Sequence, residues 1–281
     1  MSPIVDSRVP VFVHSIAQRY NALLPSVPQP ASPPVKVVAA LLLAGAAGFV
    51  DAFGFLFLVR LFTSHMTGNL SGMGLYAALH DLHAALARAW PVASFLAGLF
   101  AGAALTEWGR RRAWQSRLSL VLAVEIVLLL ALWALAPAQG SDVGRFGLVA
   151  LPALAMGMQT VTVTRARKLR FYTTYMTGNL AKFAEAVVQY AFGIGDRVRA
   201  RRRGDGPPAG ESRQDALHHL LLTLGLWLAF LAGAYLGAAG FLVAHVRALT
   251  VPLAALSIVL LVDLLRPLAP VAAGESPGLH L

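Results

Sequence analysis

Cysteine is missing from all 281 residues, and acidic side chains are scarce, with 13 Asp and Glu against 23 Lys and Arg. Without a thiol there is no disulfide, no thiolate nucleophile and no cysteine-held iron–sulfur cluster. Charged residues make up only 13% of the chain, where soluble domains carry roughly 25%. A phosphate-cradling glycine loop, a nucleophile elbow and a zinc-protease motif are missing too. His80 with His83, and His218 with His219, lack the Cys or carboxylate partners of a metal site. No catalytic residue, cofactor or metal ligand is therefore expected, and the chain does not read as an enzyme. Residues 1–36 lack the apolar core of a signal peptide. Asp6, Arg8 and Arg19 interrupt them, and Pro25–Pro34 is proline-rich, so they are expected to form a mobile cytosolic tail.

Apolar residues fill the gap, at 57% of the chain with a mean hydropathy of +0.66. Several uncharged runs approach the roughly 20 residues that span a bilayer. The formal charge of +10 fits a membrane protein whose cytoplasmic loops hold Lys and Arg, and no nucleic-acid partner is expected. Spans are predicted over Val37–Val59, Trp90–Thr106, Leu118–Leu135, Phe146–Thr164, Leu217–Ala244 and Leu249–Leu265.

Between these spans one polar string occurs twice. Phe62-Thr-Ser-His-Met-Thr-Gly-Asn-Leu70 returns as Tyr172-Thr-Thr-Tyr-Met-Thr-Gly-Asn-Leu180, with six of nine positions identical. If both segments crossed the membrane, Arg110–Arg112 and Arg197–Arg203 would face opposite compartments, against the positive-inside rule. If both are re-entrant or broken half-helices, 18 basic residues fall on one face and 4 on the other. The second arrangement is the expected one. The predicted fold is an all-α polytopic membrane protein of six transmembrane helices plus two half-helices, about 62–78 and 172–192. It is a 3+3 inverted repeat of residues 37–136 and 137–265, with a hydrophilic insert at 195–215 and a cytosolic tail at 266–281. Opposed half-helices are a plan of secondary transporters and some channels.

Gly48-Phe-Val-Asp51, Phe62–Asn69, Met156-Gly-Met-Gln159 and Thr173–Asn179 together resemble the YoaK-like family of bacterial inner-membrane proteins, whose shared domain has no known function. The resemblance covers about Val37–Leu265 and implies an inner-membrane protein of about six helices. Where that family carries Asn after the Gln, this chain has Thr160.

The candidate path-lining or solute-binding residues are Asp51, His65, Thr67, Gly68, Asn69, Gln159, Thr177, Gly178 and Asn179. An intramembrane carboxylate is costly and faces a cavity or a partner, which makes Asp51 the candidate for proton coupling. Its alternative is a structural hydrogen bond to a half-helix. Asn69 and Asn179 either line a site or cap the break in their segment. His65 titrates near neutral pH, although Tyr175 replaces it in the second copy. The expected function is a transporter or channel for a small polar or anionic solute, with the two Met-Thr-Gly-Asn segments meeting at a central site, in a bacterial inner membrane with both termini cytoplasmic. The alternative is a non-transporting scaffold, sensor or assembly factor. Gly98/Gly102 and Gly233/Gly237 are read as close-packing faces, available to a homo-oligomer. The bilayer itself is the other expected partner.

Overall fold

The structure is a computed structural model. It describes residues 30–58, 60–112, 116, 118–136, 142–161, 164–166, 169–171, 173–174, 176–203 and 213–269. Most of the predicted tails, Arg117, Tyr172, Tyr175 and residues 204–212 lie outside the described residues.

Helix α1 runs Pro33–Phe57. It starts four residues before the predicted span because Pro33 and Pro34 occupy its first turn, where a missing N–H costs nothing. Helix α2, Met66–Ala78, follows an irregular stretch. Its 13 residues give about 20 Å at 1.5 Å per residue, short of the roughly 30 Å hydrocarbon core. Helix α3 is Leu82–Arg111 and contains Pro91. The short turn at Leu79–Asp81, with His80 at φ 62°, folds α3 back against α2. Arg88 stacks over the Tyr76 ring at 4.2 Å. Helix α4 is Ser119–Leu135.

The fourth predicted span is two helices, α5 Asp142–Leu148 and α6 Ala150–Val161. Pro152 explains the break, since it has no N–H for the Leu148 carbonyl and its ring crowds that position. Beyond α6 a short ribbon interrupts the otherwise helical fold. Thr164–Ala166 and Leu169–Phe171 pair as an antiparallel ribbon, with Arg165 opposite Arg170. Helix α7, Met176–Arg203, is not a half-helix ending near Phe192. Its 28 residues extend about 42 Å, and the first part of the predicted hydrophilic insert is its last two turns. Arginine is a good helix former and complements the negative end of the dipole, so a polar composition there does not imply a loop. Helix α8 is Arg213–Ala244, a 3₁₀ turn follows at His245–Leu249, and α9 is Thr250–Leu265.

Among the described residues, three stretches are long and apolar enough to cross a membrane: α1, α3 and Ala216–Leu265. The chain is a helical membrane protein in this sense. Leu70, Leu86, Phe100, Phe192, Leu242 and Val243 are large exposed hydrophobics on its helix surfaces. The start of α1 and the end of α9 are tied together at one end of the bundle. Ala31 N–H donates to the Pro267 carbonyl at 3.1 Å, and Ala31 and Leu268 are buried. The residues flanking the first and last helices are therefore packed, not part of free tails. At the same end, buried Asp263 accepts from Ser116 Oγ at 2.8 Å, Leu268 N–H at 2.8 Å and Ser119 Oγ at 2.5 Å.

Glycine decides which helices pair. A Cβ on Gly48 would lie 2.1 Å from the Phe230 carbonyl oxygen, and one on Gly157 would lie 2.2 Å from that of Phe95. In both cases the next helix contact is one turn on, Ala234 N at 3.1 Å and Leu99 N at 3.0 Å. From the opposite side, Gly233 and Gly237 meet Gly45 and Phe49, while Gly98 and Gly102 meet Leu154 and Met158. Thus α1 lies against α8 and α6 against α3, backbone to backbone. These glycine faces are buried inside the chain. They are not surfaces open to a second copy, which corrects the oligomer expectation for them. A sequence pattern marks a close-packing face without saying what occupies it.

Candidate functional site

The first motif begins where α1 ends. The chain turns back at Leu58–Leu61 and returns beside the last two turns of α1. Buried backbone needs partners, and inside a bilayer water does not supply them. Asp51 supplies them here. Its Oδ1 accepts from Thr63 N–H at 2.9 Å, Ser64 N–H at 2.7 Å and Thr63 Oγ1 at 3.2 Å. Its Oδ2 lies 2.6 Å from His65 Nδ1. Asp51 is 4% exposed, and four donors converge on its carboxylate. It anchors the irregular segment that precedes α2, which is the structural alternative weighed for it from sequence.

Asn69 fastens the same segment from the other side. Its Nδ2 donates to the Phe62 carbonyl at 2.8 Å, and its Oδ1 accepts from Phe62 N–H at 3.2 Å. The amide thus takes both the backbone N–H and the carbonyl of Phe62, in its own motif, and Asn69 is 2% exposed. Gly68 packs beneath Phe62, with ring carbons 3.2 Å from where a Cβ would sit. His65 occupies the junction. Its ring lies 5.5 Å from Phe62 and 5.7 Å from Phe230 of α8, and its side chain is 40% exposed. Nδ1 faces Asp51, so Nε2 is the nitrogen left to meet a ligand. Thr67 is exposed.

The second motif is held by different chemistry. Gln159 Nε2 donates to Thr173 Oγ1 at 3.1 Å and to the Leu43 carbonyl of α1 at 2.9 Å. Thr160 Oγ1 lies 2.6 Å from Thr174 Oγ1. The glycine contacts place Gly48 with Gly157, so Asp51 corresponds to Thr160 and not to Gln159. Asn179 is fully buried, Thr177 is exposed and Gly178 is half-buried. Sequence reasoning missed Thr63, Thr160, Thr173 and Thr174 as members of the two clusters. The register Gly48-x-x-Asp51 against Gly157-x-x-Thr160 is the signal that finds Thr160.

The structure brings Asp51, His65 and Asn69 into one cluster and Gln159 to the start of the second motif. Helices α2 and α7 do not pack along each other. An apolar groove of about 320 Å³ lies elsewhere, between α1 and α9, lined by Pro34, Val35, Val38, Leu42, Ile258 and Val262 among others. No group of three or more His, Cys, Asp or Glu able to hold a metal occurs among the described residues.

A family model described as a protein of unknown function (DUF1275) matches residues 39–262. The chain belongs to this family. The UPF0700 transmembrane protein YoaK of Bacillus subtilis (strain 168) is 27% identical over 146 residues, covering 52% of this chain and 64% of that relative. The matched stretch is thus under two thirds of the relative's own length. No solved structure matches. The anchoring residues of both motifs, Asp51 through Asn179, fall inside the family match.

Proposed function

We propose that this protein is an inner-membrane transporter or channel for a small polar or anionic solute, built as an inverted repeat. One observation carries the reading. In each motif an irregular segment and a helix start are pinned to a buried polar side chain of the preceding helix, Asp51 or the Gln159–Thr160 pair. Broken backbone at membrane depth is tolerated where it is buried in protein or lines a wet cavity. In transporters such breaks lie at the substrate site. The matched glycine contacts of α1 on α8 and α6 on α3 support a two-fold relation between the halves. With α2 and α7 each leaving the membrane by the face it entered, the 18-to-4 split of basic residues supports cytoplasmic termini, and the name of the Bacillus relative supports membrane residence.

The solute contacts in this reading are the accessible groups, His65, Thr67, Gly68, Thr177 and Gly178. Asp51, Asn69, Gln159 and Asn179 stand behind them. His65, held by Asp51 and touching Phe230, sits where the first half meets the second. In proteoliposomes screened against a panel of organic anions and polar metabolites, at least one solute is expected to accumulate. His65→Ala is expected to cut its uptake about tenfold or more, equivalent to loss of one charge-assisted contact, and also to lower the melting temperature, because Asp51 Oδ2 loses its partner, so uptake is compared at equal amounts of folded protein. Uptake of every panel solute at the rate of empty liposomes would contradict transport.

A second reading is favoured by the Asn69 clasp, whose amide is taken up entirely by its own turn. A scaffold or assembly factor needs only that clasp. It predicts that Asn69→Ala lowers thermal stability while no solute raises it.

A further inference from the structure

Glu125 stands near the middle of α4, 0% exposed, and neither carboxyl oxygen has a hydrogen-bond partner. It shares its helix face with Val121, Leu122, Leu129 and Leu132, all buried. That face packs chiefly on α6 and α9. Helix α6 carries no ionisable residue. Helix α9 carries Asp263, which is engaged by Ser116, Ser119 and Leu268 at the end of the bundle. Ser119 precedes Glu125 by six residues, about 9 Å along the helix. The lighter neighbours of α4 bring His83, Arg88, Glu107, Arg110 and Arg111 on α3, and His245 and Arg247 on the 3₁₀ turn. Glu107 is paired with Arg110 and Arg111, and none of these groups is bonded to Glu125. A charge here would have neither a counter-ion nor a donor, in a medium that punishes both lacks.

We propose that Glu125 is a proton-binding site. It is held as the neutral acid in this packed arrangement and releases its proton to water only when α4 parts from α6 and α9. Asp51 is the weaker candidate for that role, because four groups already hold its carboxylate at the first motif. Proton binding stands on this packing alone. Its use as the driving ion rests on the transport reading.

Infrared spectra of the purified protein in detergent, taken across pH, test the site. The wild type is expected to show a protonated-carboxyl carbonyl band that disappears at alkaline pH. Glu125→Gln, close in size and neutral, should lack that band and keep the wild-type elution profile at acid pH. Identical spectra for the two proteins at every pH would overturn the proposal. Should Glu125→Gln fail to fold, labelling of the wild type with dicyclohexylcarbodiimide decides. An adduct on Glu125 at acid pH that is lost at alkaline pH supports the site, and no adduct at any pH overturns it. Neither readout needs a solute. Failed uptake with intact Glu125 titration overturns transport alone, and the reverse overturns only the proton site.

Discussion

Gly48→Ala and Gly157→Ala are expected to destabilise the protein by similar, large amounts, about 3 kcal/mol each, at the upper end of overpacking costs. The new methyl at position 48 meets the Phe230 carbonyl oxygen at 2.1 Å and its carbon at 2.9 Å. At position 157 it meets the Phe95 carbonyl oxygen at 2.2 Å and its carbon at 3.0 Å. These are backbone atoms, so no rotamer change relieves the clash and the helices themselves must move apart. Controls are available in the same helical setting. A Cβ at Gly74 or Gly147 meets nothing within 4 Å. Alanine there is expected to be neutral, or stabilising by up to about 1 kcal/mol through helix propensity. Thermal unfolding in a mild detergent separates the two classes. Equal melting temperatures for Gly48→Ala and Gly74→Ala would contradict a close-packed α1–α8 pair.

Asp51→Ala is the second large effect, expected at about 3–5 kcal/mol, because buried donors left without an acceptor each cost roughly 1–3 kcal/mol. The N–H groups of Thr63 and Ser64 lose their acceptor, and His65 loses the group that orients it. Asp51→Asn keeps an oxygen for those two N–H groups and is expected to retain most of the stability. The matching change in the second motif, Thr160→Val, removes a hydroxyl that bonds the Met156 carbonyl of its own helix and Thr174 of the motif, and the lost contact to the motif is expected to cost about 1 kcal/mol. The unfolding midpoint should therefore be lowest for Asp51→Ala, with Asp51→Asn and Thr160→Val both well above it. If Asp51→Ala unfolds like the wild type, the carboxylate is not what holds the first motif.

The membrane bundle and the duplicated motif are legible in the sequence because both are written in local strings. Hydrophobic runs set α1, α3, α4 and α8, and Phe62–Leu70 repeats almost letter for letter. Partners distant in the chain are not legible. Gly98 and Gly102 announce a close contact, but Leu154 and Met158 carry no mark that they receive it. Asp51 stands out as an anomaly, while its bonding to the backbone is invisible to a pattern of side chains. Thr160 is hidden by ordinariness, since a helical threonine commonly bonds back one turn, as its hydroxyl also does to Met156. Helix α7 outruns its predicted end because a run of arginines looks the same in a loop and in a solvated helix. The break at Val149 escapes a hydropathy reading because the apolar run across Phe146–Val161 continues through it, and Pro152 alone signals it.

Entry of the two halves into the membrane from opposite faces is the central claim, and the absence of native cysteine makes it directly testable. Single cysteines placed at exposed His80, in the α2–α3 turn, and at exposed Arg202, near the end of α7, are treated with a membrane-impermeant maleimide in right-side-out vesicles. Labelling of His80→Cys is expected in sealed vesicles, and labelling of Arg202→Cys only after the vesicles are opened. Labelling of both positions in sealed vesicles, or of neither, would contradict opposed entry.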